Sequence, residues 1–244
     1  MMLRDTSRIR TILLIALGFC TTWEAHGQFV VERSPWLDGA GITEDPVEQT
    51  WRVTDRSTNA PLNTQFSVEG INPRKPVTLN VNEDTLLKLE PYRRYSRLCV
   101  EPNYMLFADY LFADPNVAHD TVRLQPLQIG LETSLPAIEF MPGTQELYYT
   151  SVPALEALLE FIDVNPTLAL AIIGCEDTDE KTRNQDRFSR DRARAVFEYL
   201  VSSGVASDRL TIEGRGSKSP AFPEPKTPEE AEFNRRISVR VTNY

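Results

Sequence analysis

The chain has 244 residues, of which 41% are hydrophobic, which is enough for one large domain or two small ones. Its formal net charge is −9 at pH 7. Binding to nucleic acid requires a clustered excess of lysine and arginine, so this acidic balance argues against a nucleic-acid partner.

The N-terminus has the features of an export signal. Basic residues in the first ten positions precede a short apolar run, Thr11–Phe19. The small residues Ala25 and Gly27 then stand at the −3 and −1 positions of a cleavage site. The run is too short to cross a bilayer, which takes about 20 residues. We predict a secretory signal over residues 1–27; the alternative is an uncleaved anchor.

Three cysteines bear on export and pairing. Cys20 is a candidate for lipid attachment, although the large Phe19 before it disfavours that modification. Cys99 and Cys175 fall in different predicted domains, and we therefore predict that they do not pair with each other. No later apolar run approaches membrane-spanning length, so we predict no direct membrane span.

The first half of the mature chain is predicted to be all-β. Residues 28–48 are rich in proline, glycine and aspartate and are predicted to form an extended leader. Residues 49–125 contain six or seven short, partly alternating segments separated by turn residues, which favours a β-sandwich domain. The stretch "VTDRSTNAPLNTQFSV" resembles the opening of carboxypeptidase-regulatory-like sandwich domains, and this resemblance implies an interaction or spacer module.

From residue 126 onward, strand and helix patterns alternate, which predicts a two-layer α/β sandwich over 126–244. The first predicted elements are a strand over 135–141 and a helix that is capped by Ser151 and ends at Asn165–Pro166. A buried strand over 168–174 and a helix over about 186–203, followed by Gly204, come next. The last elements are a strand "RLTIEG", a short helix capped by Thr227, and a final strand "RRISVRV".

One charged residue in this half lies at a position that is predicted to face the core. Arg192 lies four residues after Phe188 and four before Val196, on the helix stripe that should face the core. A buried guanidinium is costly unless it is paired. Asp177, in the loop that leads into the helix, is the expected partner. Either the two form a structural salt bridge, or they clamp a zwitterion, with Asp177 on an ammonium group and Arg192 on a carboxylate.

The stretch from Asn165 to Pro220, followed by "EFNRRISVRV", resembles the OmpA-like peptidoglycan-binding family. The matching positions are Gly174, Asp177, Ser189, Arg192, Ala193, Gly214, Gly216, Asn234, Arg235 and Arg236. The resemblance implies that Asp177 and Arg192 hold the free end of diaminopimelate in a peptidoglycan stem peptide, without cutting it.

Several positions depart from the family pattern. Cys175 and Glu176 replace its His-Thr, and Phe188 replaces a leucine. Gln185 stands where the family has asparagine, with Asn184 one place earlier, and both are candidate ligand-binding residues. Glu176 adds a carboxylate beside the clamp, which would weaken carboxylate binding or favour an amine.

The sequence leaves two other classes of function open. A wall hydrolase usually needs a histidine-containing zinc site or a Cys–His pair, and the mature chain has only His119, in the other half from Cys175. A scaffold whose OmpA-like domain has weak or no wall binding is favoured by the changes at positions 175, 176 and 185.

The sequence thus predicts a non-enzymatic periplasmic protein, without cofactor or metal, associated with the outer membrane of a Gram-negative bacterium. Its C-terminal half binds peptidoglycan, and its N-terminal half presents a surface to an unknown envelope protein.

Overall fold

The computed structural model describes residues 29–30, 46–70, 77–81, 84–177 and 184–244. The predicted signal over 1–27, Cys20 and most of the predicted leader lie outside the described residues. Of the leader, Phe29–Val30 forms a short strand, β1, and Val47 begins the next strand.

Beyond β1, the described part of the N-terminal half contains seven strands. They are β2 (Val47–Asp55), β3 (Thr64–Glu69), β4 (Val77–Val81), β5 (Thr85–Leu89), β6 (Arg94–Cys99), β7 (Phe107–Phe112) and β8 (His119–Leu124). They form a three-stranded sheet of order β5-β2-β8 and a four-stranded sheet of order β4-β3-β6-β7. The predicted all-β character of this half agrees with the structure.

The two N-terminal sheets share one hydrophobic core. Trp51 and Val53 of β2 pack with Phe66 and Val68 of β3, and all four side chains are at most 1% exposed. The Trp51 and Phe66 rings meet edge to face, with centroids 6.2 Å apart. The alternation of buried and exposed residues along β2 and β3 therefore places apolar side chains between the sheets.

The C-terminal half alternates strands and helices. Its elements are β9 (Glu132–Leu135), β10 (Leu147–Tyr148), α1 (Val152–Val164), β11 (Ala169–Gly174), α2 (Gln185–Ser202), β12 (Leu210–Gly214), α3 (Pro228–Asn234) and β13 (Ile237–Asn243). The main sheet has the order β12-β11-β13-β9, and β10 pairs in parallel with β1. In the main sheet β12 runs parallel to β11, and β13 runs antiparallel to both β11 and β9.

Strand β11 is buried on both faces, as its continuous apolar run predicts. On one face Leu170 and Ile172 belong to the core that includes residues of α1 and α2. On the other face Ala171 and Ile173 cluster with Cys175. Charged side chains of the neighbouring strands form an ion-pair network. It joins Glu132 of β9, Glu213 of β12 and Arg240 of β13 with Arg215, which directly follows β12.

Two local predictions were wrong. The strand expected over 135–141 lies instead at Glu132–Leu135, because Pro136 follows and has no N–H for the ladder. Ser151 stands before α1, but its hydroxyl makes no capping bond to the helix. It donates to the Glu139 carbonyl oxygen at 3.0 Å and accepts from the Glu139 N–H at 2.9 Å.

Other helix-end predictions are confirmed. Helix α1 ends at Val164 with Asn165 as its C-cap, and Gly204 follows α2 with φ of 105°. The Thr227 hydroxyl accepts a hydrogen bond from the Glu230 N–H at 3.2 Å and caps α3.

The two halves share buried contacts. Leu98 and Leu106 belong to the same hydrophobic cluster as Leu155 and Leu158 of α1. The Tyr110 hydroxyl donates to Glu139 Oε1 at 2.8 Å. The predicted division at residue 126 stays a prediction, since apolar side chains pack across it. Among the described residues, no helix is both long and apolar enough to cross a membrane.

Candidate functional site

The site lies where β11 ends and α2 begins. A Cβ at Gly174 would lie 1.9 Å from the Ser189 carbonyl oxygen, and one at Gly214 would lie 2.2 Å from that of Asp186. Only glycine permits so close an approach of helix and strands. The two glycines therefore let the first turns of α2 rest directly on the ends of β11 and β12.

A buried serine ties this helix to the loop after β12. The Ser189 hydroxyl donates to the Asp186 carbonyl oxygen at 3.1 Å and accepts from the Gly216 N–H at 2.9 Å. The Gly216 carbonyl oxygen in turn accepts from the Glu176 N–H at 2.9 Å. The residues after β11 are thus held against both the loop and the helix.

Arg192 is buried, as its place on the core-facing stripe predicts, and is 4% exposed. Its Nε donates to the Thr144 carbonyl oxygen at 2.9 Å. One terminal nitrogen lies 3.1 Å from each carboxylate oxygen of Glu176. The guanidinium also lies over two rings, 5.1 Å from the centroid of Phe140 and 4.7 Å from that of Phe188.

The carboxylate seen on Arg192 is therefore that of Glu176, where the sequence pointed to Asp177. Alternation along the chain explains the difference. Cys175 clusters with Ala171 and Ile173, on the face of the sheet away from α2. The next residue, Glu176, then points to the helix-covered face, where Arg192 lies.

Asp177 is 3% exposed and is held by the segment that precedes β13. Its Oδ1 accepts from the Asn234 side-chain amide at 3.1 Å, and its Oδ2 lies 3.7 Å from an Arg235 nitrogen. Asn234 also exchanges two hydrogen bonds of 2.9 Å with the Phe222 backbone. In the sequence, Asn234 was recognised only as a position that matches the family pattern, and its contact with Asp177 was not predicted.

The other two candidate residues lie at the start of α2. The Gln185 side-chain oxygen accepts from the Ser217 hydroxyl at 2.6 Å. Asn184 is exposed, and its φ of 79° is in the left-handed region that asparagine tolerates. Ligand binding by either residue stays a prediction.

Cys175 and His119, the two residues considered for a hydrolase, lie in different halves of the chain. Burial raises the pKa of the Cys175 thiol, the opposite of the shift that activates a nucleophilic cysteine. His119 is exposed on β8, in the other half of the chain. Among the described residues, no group of three or more His, Cys, Asp or Glu side chains has the arrangement of a metal site.

Comparison with known proteins gives a local match. A curated relative, the photosystem I P700 chlorophyll a apoprotein A2 of Gloeobacter violaceus, is 25% identical over 125 residues. This match covers 49% of the chain but only 14% of that protein.

Two solved structures are similar to one half of the chain. The periplasmic domain of MotB from Helicobacter pylori is 18% identical over 48% of this chain and 76% of its own, with a TM-score of 0.43. The peptidoglycan-associated lipoprotein from Burkholderia pseudomallei is 16% identical over 44% of this chain and 88% of its own, with a TM-score of 0.37.

The model of the OmpA family matches residues 139–235, which contain α1, β11, α2, β12 and α3 and the site residues just described. Residues 139–235 of this chain form an OmpA family domain.

Proposed function

We propose that the C-terminal half binds peptidoglycan without cutting it, and that the protein tethers a partner of its N-terminal half to the cell wall. The observation that carries this proposal is the placement of Asp177 and Arg192 in an OmpA family domain. Both residues are at most 4% exposed, and they lie beside Glu176 at the carboxyl end of β11. Ligands of open α/β sheets commonly bind at this end.

The chemistry of the site suits the free end of a stem peptide. Such an end carries an ammonium and a carboxylate on one carbon, and Asp177 and Arg192 offer the opposite charges. Charges in a site from which water is largely excluded interact more strongly than charges on the surface. We propose diaminopimelate as the recognised residue, with Gln185 and Asn184 supplying amide groups at the rim.

Binding without catalysis is the better proposal for this chemistry. A hydrolase acting through Cys175 would need a thiol whose pKa is lowered, whereas burial raises it. We therefore propose a periplasmic protein of a Gram-negative envelope, associated with the outer membrane through its partner.

One observation favours a second candidate function. The Glu176 carboxylate lies 3.1 Å from the same guanidinium that a ligand carboxylate would use. If this ion pair is permanent, the domain is a scaffold with weak or no wall binding, and the N-terminal sheets carry the function.

A pelleting assay distinguishes the two functions. The chain without residues 1–27 is mixed with insoluble diaminopimelate-type peptidoglycan and centrifuged. The whole remaining chain is used because apolar side chains pack across the predicted domain boundary. The tether proposal expects the chain to pellet, Asp177→Asn to stay in solution, and Asp163→Asn, a change of an exposed aspartate on α1, to pellet as the parent does. The scaffold function expects all three to stay in solution.

A further inference from the structure

We infer that the exposed rings of Phe222 and Phe233 form an apolar subsite at the rim of the wall site. This subsite binds the apolar groups of the stem peptide that adjoin the zwitterionic end of diaminopimelate, above all the methyl group of the following alanine. The inference rests on the proposed wall-binding function and extends it from the charged end of the ligand to the apolar part beside it.

The two rings form an exposed apolar pair. Their centroids lie 6.1 Å apart, with an angle of 56° between the ring planes. Phe222 is 38% exposed and Phe233 is 36% exposed. A single exposed apolar side chain is common on protein surfaces and needs no explanation. Two neighbouring aromatic rings, in contrast, offer a ligand one continuous apolar surface.

The side chain of Asn234 joins this ring pair to Asp177. The Phe222 N–H donates to the Asn234 side-chain oxygen at 2.9 Å. The Asn234 amide nitrogen donates to the Phe222 carbonyl oxygen at 2.9 Å and to Asp177 Oδ1 at 3.1 Å. Phe233 directly precedes Asn234 on α3. One fully buried side chain therefore fixes the position of the rings relative to the carboxylate that we propose binds the ligand ammonium.

This separation suits the stem peptide better than the glycan. Two consecutive hydrogen bonds, through one amide nitrogen, connect the Asp177 carboxylate to the Phe222 backbone. In the ligand, a short methylene chain connects the zwitterionic end of diaminopimelate to the stem, where alanine follows. The sugars are attached at the other end of the stem. With its charged end at Asp177, the ligand therefore brings methylene and methyl groups to the rings before any sugar.

Open space adjoins the ring pair on the side of Phe233. Phe233 and Arg235 line the same surface cavity, and an Arg235 nitrogen lies 3.7 Å from Asp177 Oδ2. A ring of the pair and a residue in contact with Asp177 thus border one concave region. Ligand sites are typically concave and combine aromatic side chains with a few polar groups.

The sequence restrains Phe222 before any ligand binds. Pro220, Pro223 and Pro225 lie in the segment that carries it. Proline fixes its own φ and restricts the residue before it, which at Pro223 is Phe222. These restraints add to the two hydrogen bonds with Asn234. A ring on a restrained backbone loses little conformational freedom when a ligand covers it, and this favours binding.

The test compares two soluble probes by isothermal titration calorimetry of the chain without residues 1–27. One probe is free meso-diaminopimelate, and the other is a sugar-free stem tetrapeptide in which alanine follows diaminopimelate. We expect the parent to bind the tetrapeptide about tenfold tighter, the gain expected when one or two methyl groups are buried. Phe222→Ala and Phe233→Ala should each reduce this advantage to about threefold or less. Phe222→Ala removes the ring and keeps the N–H and C=O groups that bond to Asn234.

Ile129→Ala is the matched control, because Ile129 is an apolar residue that is 65% exposed. The next residue, Gly130, donates its N–H to the Val241 carbonyl oxygen, and Val241 pairs with Leu170 near the start of β11. Ile129 therefore lies near the opposite end of the sheet from Asp177. The control should keep the full tenfold preference for the tetrapeptide.

A parent that binds the tetrapeptide no tighter than diaminopimelate, or that binds neither probe, overturns the inference. Pelleting of that parent with peptidoglycan then decides separately whether the wall-binding function holds. Equal losses for both probes in the ring variants would mean that the rings only position Asp177, which also overturns it. So would a loss confined to a muropeptide that carries sugars, because the rings would then bind the glycan.

A second measurement needs no variant and keeps the inference testable if the ring variants fail to fold. In the complex of the parent with the tetrapeptide, nuclear Overhauser effects should connect the ring protons of Phe222 and Phe233 with the alanine methyl protons. Their absence at saturating tetrapeptide would overturn the inference.

Discussion

The side-chain amide of Asn234 donates a 3.1 Å hydrogen bond to Asp177 across 57 residues of sequence. Asn234 is fully buried at the end of α3, and its amide also exchanges hydrogen bonds with the Phe222 backbone. Asn234 is thus a positioning residue, because it connects the last helix to the carboxylate of the candidate site.

Replacing Asn234 by alanine should weaken wall binding through Asp177. The change leaves Asp177 without this donor and leaves the Phe222 N–H and C=O unsatisfied, at a cost of about 1–3 kcal/mol of folding free energy. We expect a lower urea midpoint and several-fold less protein in the peptidoglycan pellet. Asn243→Ala, an exposed change at the end of β13, is the control and should alter neither. Unchanged pelleting by a folded Asn234→Ala would contradict the positioning role.

The Glu176–Arg192 pair should show strong coupling in stability. Arg192→Met leaves a buried carboxylate without its counter-charge, which typically costs about 3–5 kcal/mol. Adding Glu176→Leu removes that carboxylate, and we expect the double variant to be more stable than Arg192→Met alone. Urea unfolding of the parent, both single variants and the double variant measures the coupling. Costs that simply add would mean that the two side chains are not paired in solution.

Gly174 should be intolerant of any side chain. A Cβ there would lie 1.9 Å from the Ser189 carbonyl oxygen, so α2 must move away from β11 in Gly174→Ala. Gly204→Ala is the matched control, because its φ of 105° strains an alanine but no atom lies within 4 Å of the added Cβ. We expect the control to lose about 1–2 kcal/mol and keep wall binding. Gly174→Ala should lose more stability than the control and should also lose wall binding. Thermal unfolding and pelleting measure the two effects. Equal losses in both variants would contradict the close packing of α2 on β11.

Alkaline pH should destabilise the N-terminal half through Cys99. Burial raises the pKa of this thiol from an ordinary 9.0 to about 12. Between these values the unfolded chain releases the proton and the folded chain keeps it, so folding stability falls as pH rises. The full contribution is present below about pH 9 and declines by about 1.4 kcal/mol per pH unit toward pH 12.

Comparison of the parent with Cys99→Ala isolates this effect, since other groups that titrate at alkaline pH are present in both proteins. We expect the difference between their unfolding free energies to shrink as pH rises from about 9 to 11. Parallel pH profiles of the two proteins would show that the thiol does not titrate differently in the folded state.

Local signals predicted much of the fold. The apolar run of β11, the stripe of α2 and the Thr227 cap each depend on residues close in sequence, and each agrees with the structure. Arg192 was predicted to be buried because the apolar stripe of a single helix determines which of its residues face the core.

The features that sequence reasoning missed depend on contacts between distant residues. Glu176 meets Arg192 because the chain continues its alternation past the end of β11, whereas the sequence analysis predicted Asp177 as the partner. Ser151 bonds to Glu139 rather than capping α1. Asn234, at the end of α3, bonds to Asp177 across 57 residues of sequence, and no local signal indicates this contact.

The most direct test of the account is an NMR titration of the chain without residues 1–27 with a soluble muropeptide that carries diaminopimelate. Binding at the proposed site predicts that the largest amide shift changes fall on Cys175–Asp177, the start of α2 and Asn234–Arg235, and that Asp177→Asn abolishes them. Shift changes confined to the sheets of residues 46–125, or none at saturating muropeptide, would contradict wall binding through Asp177 and Arg192.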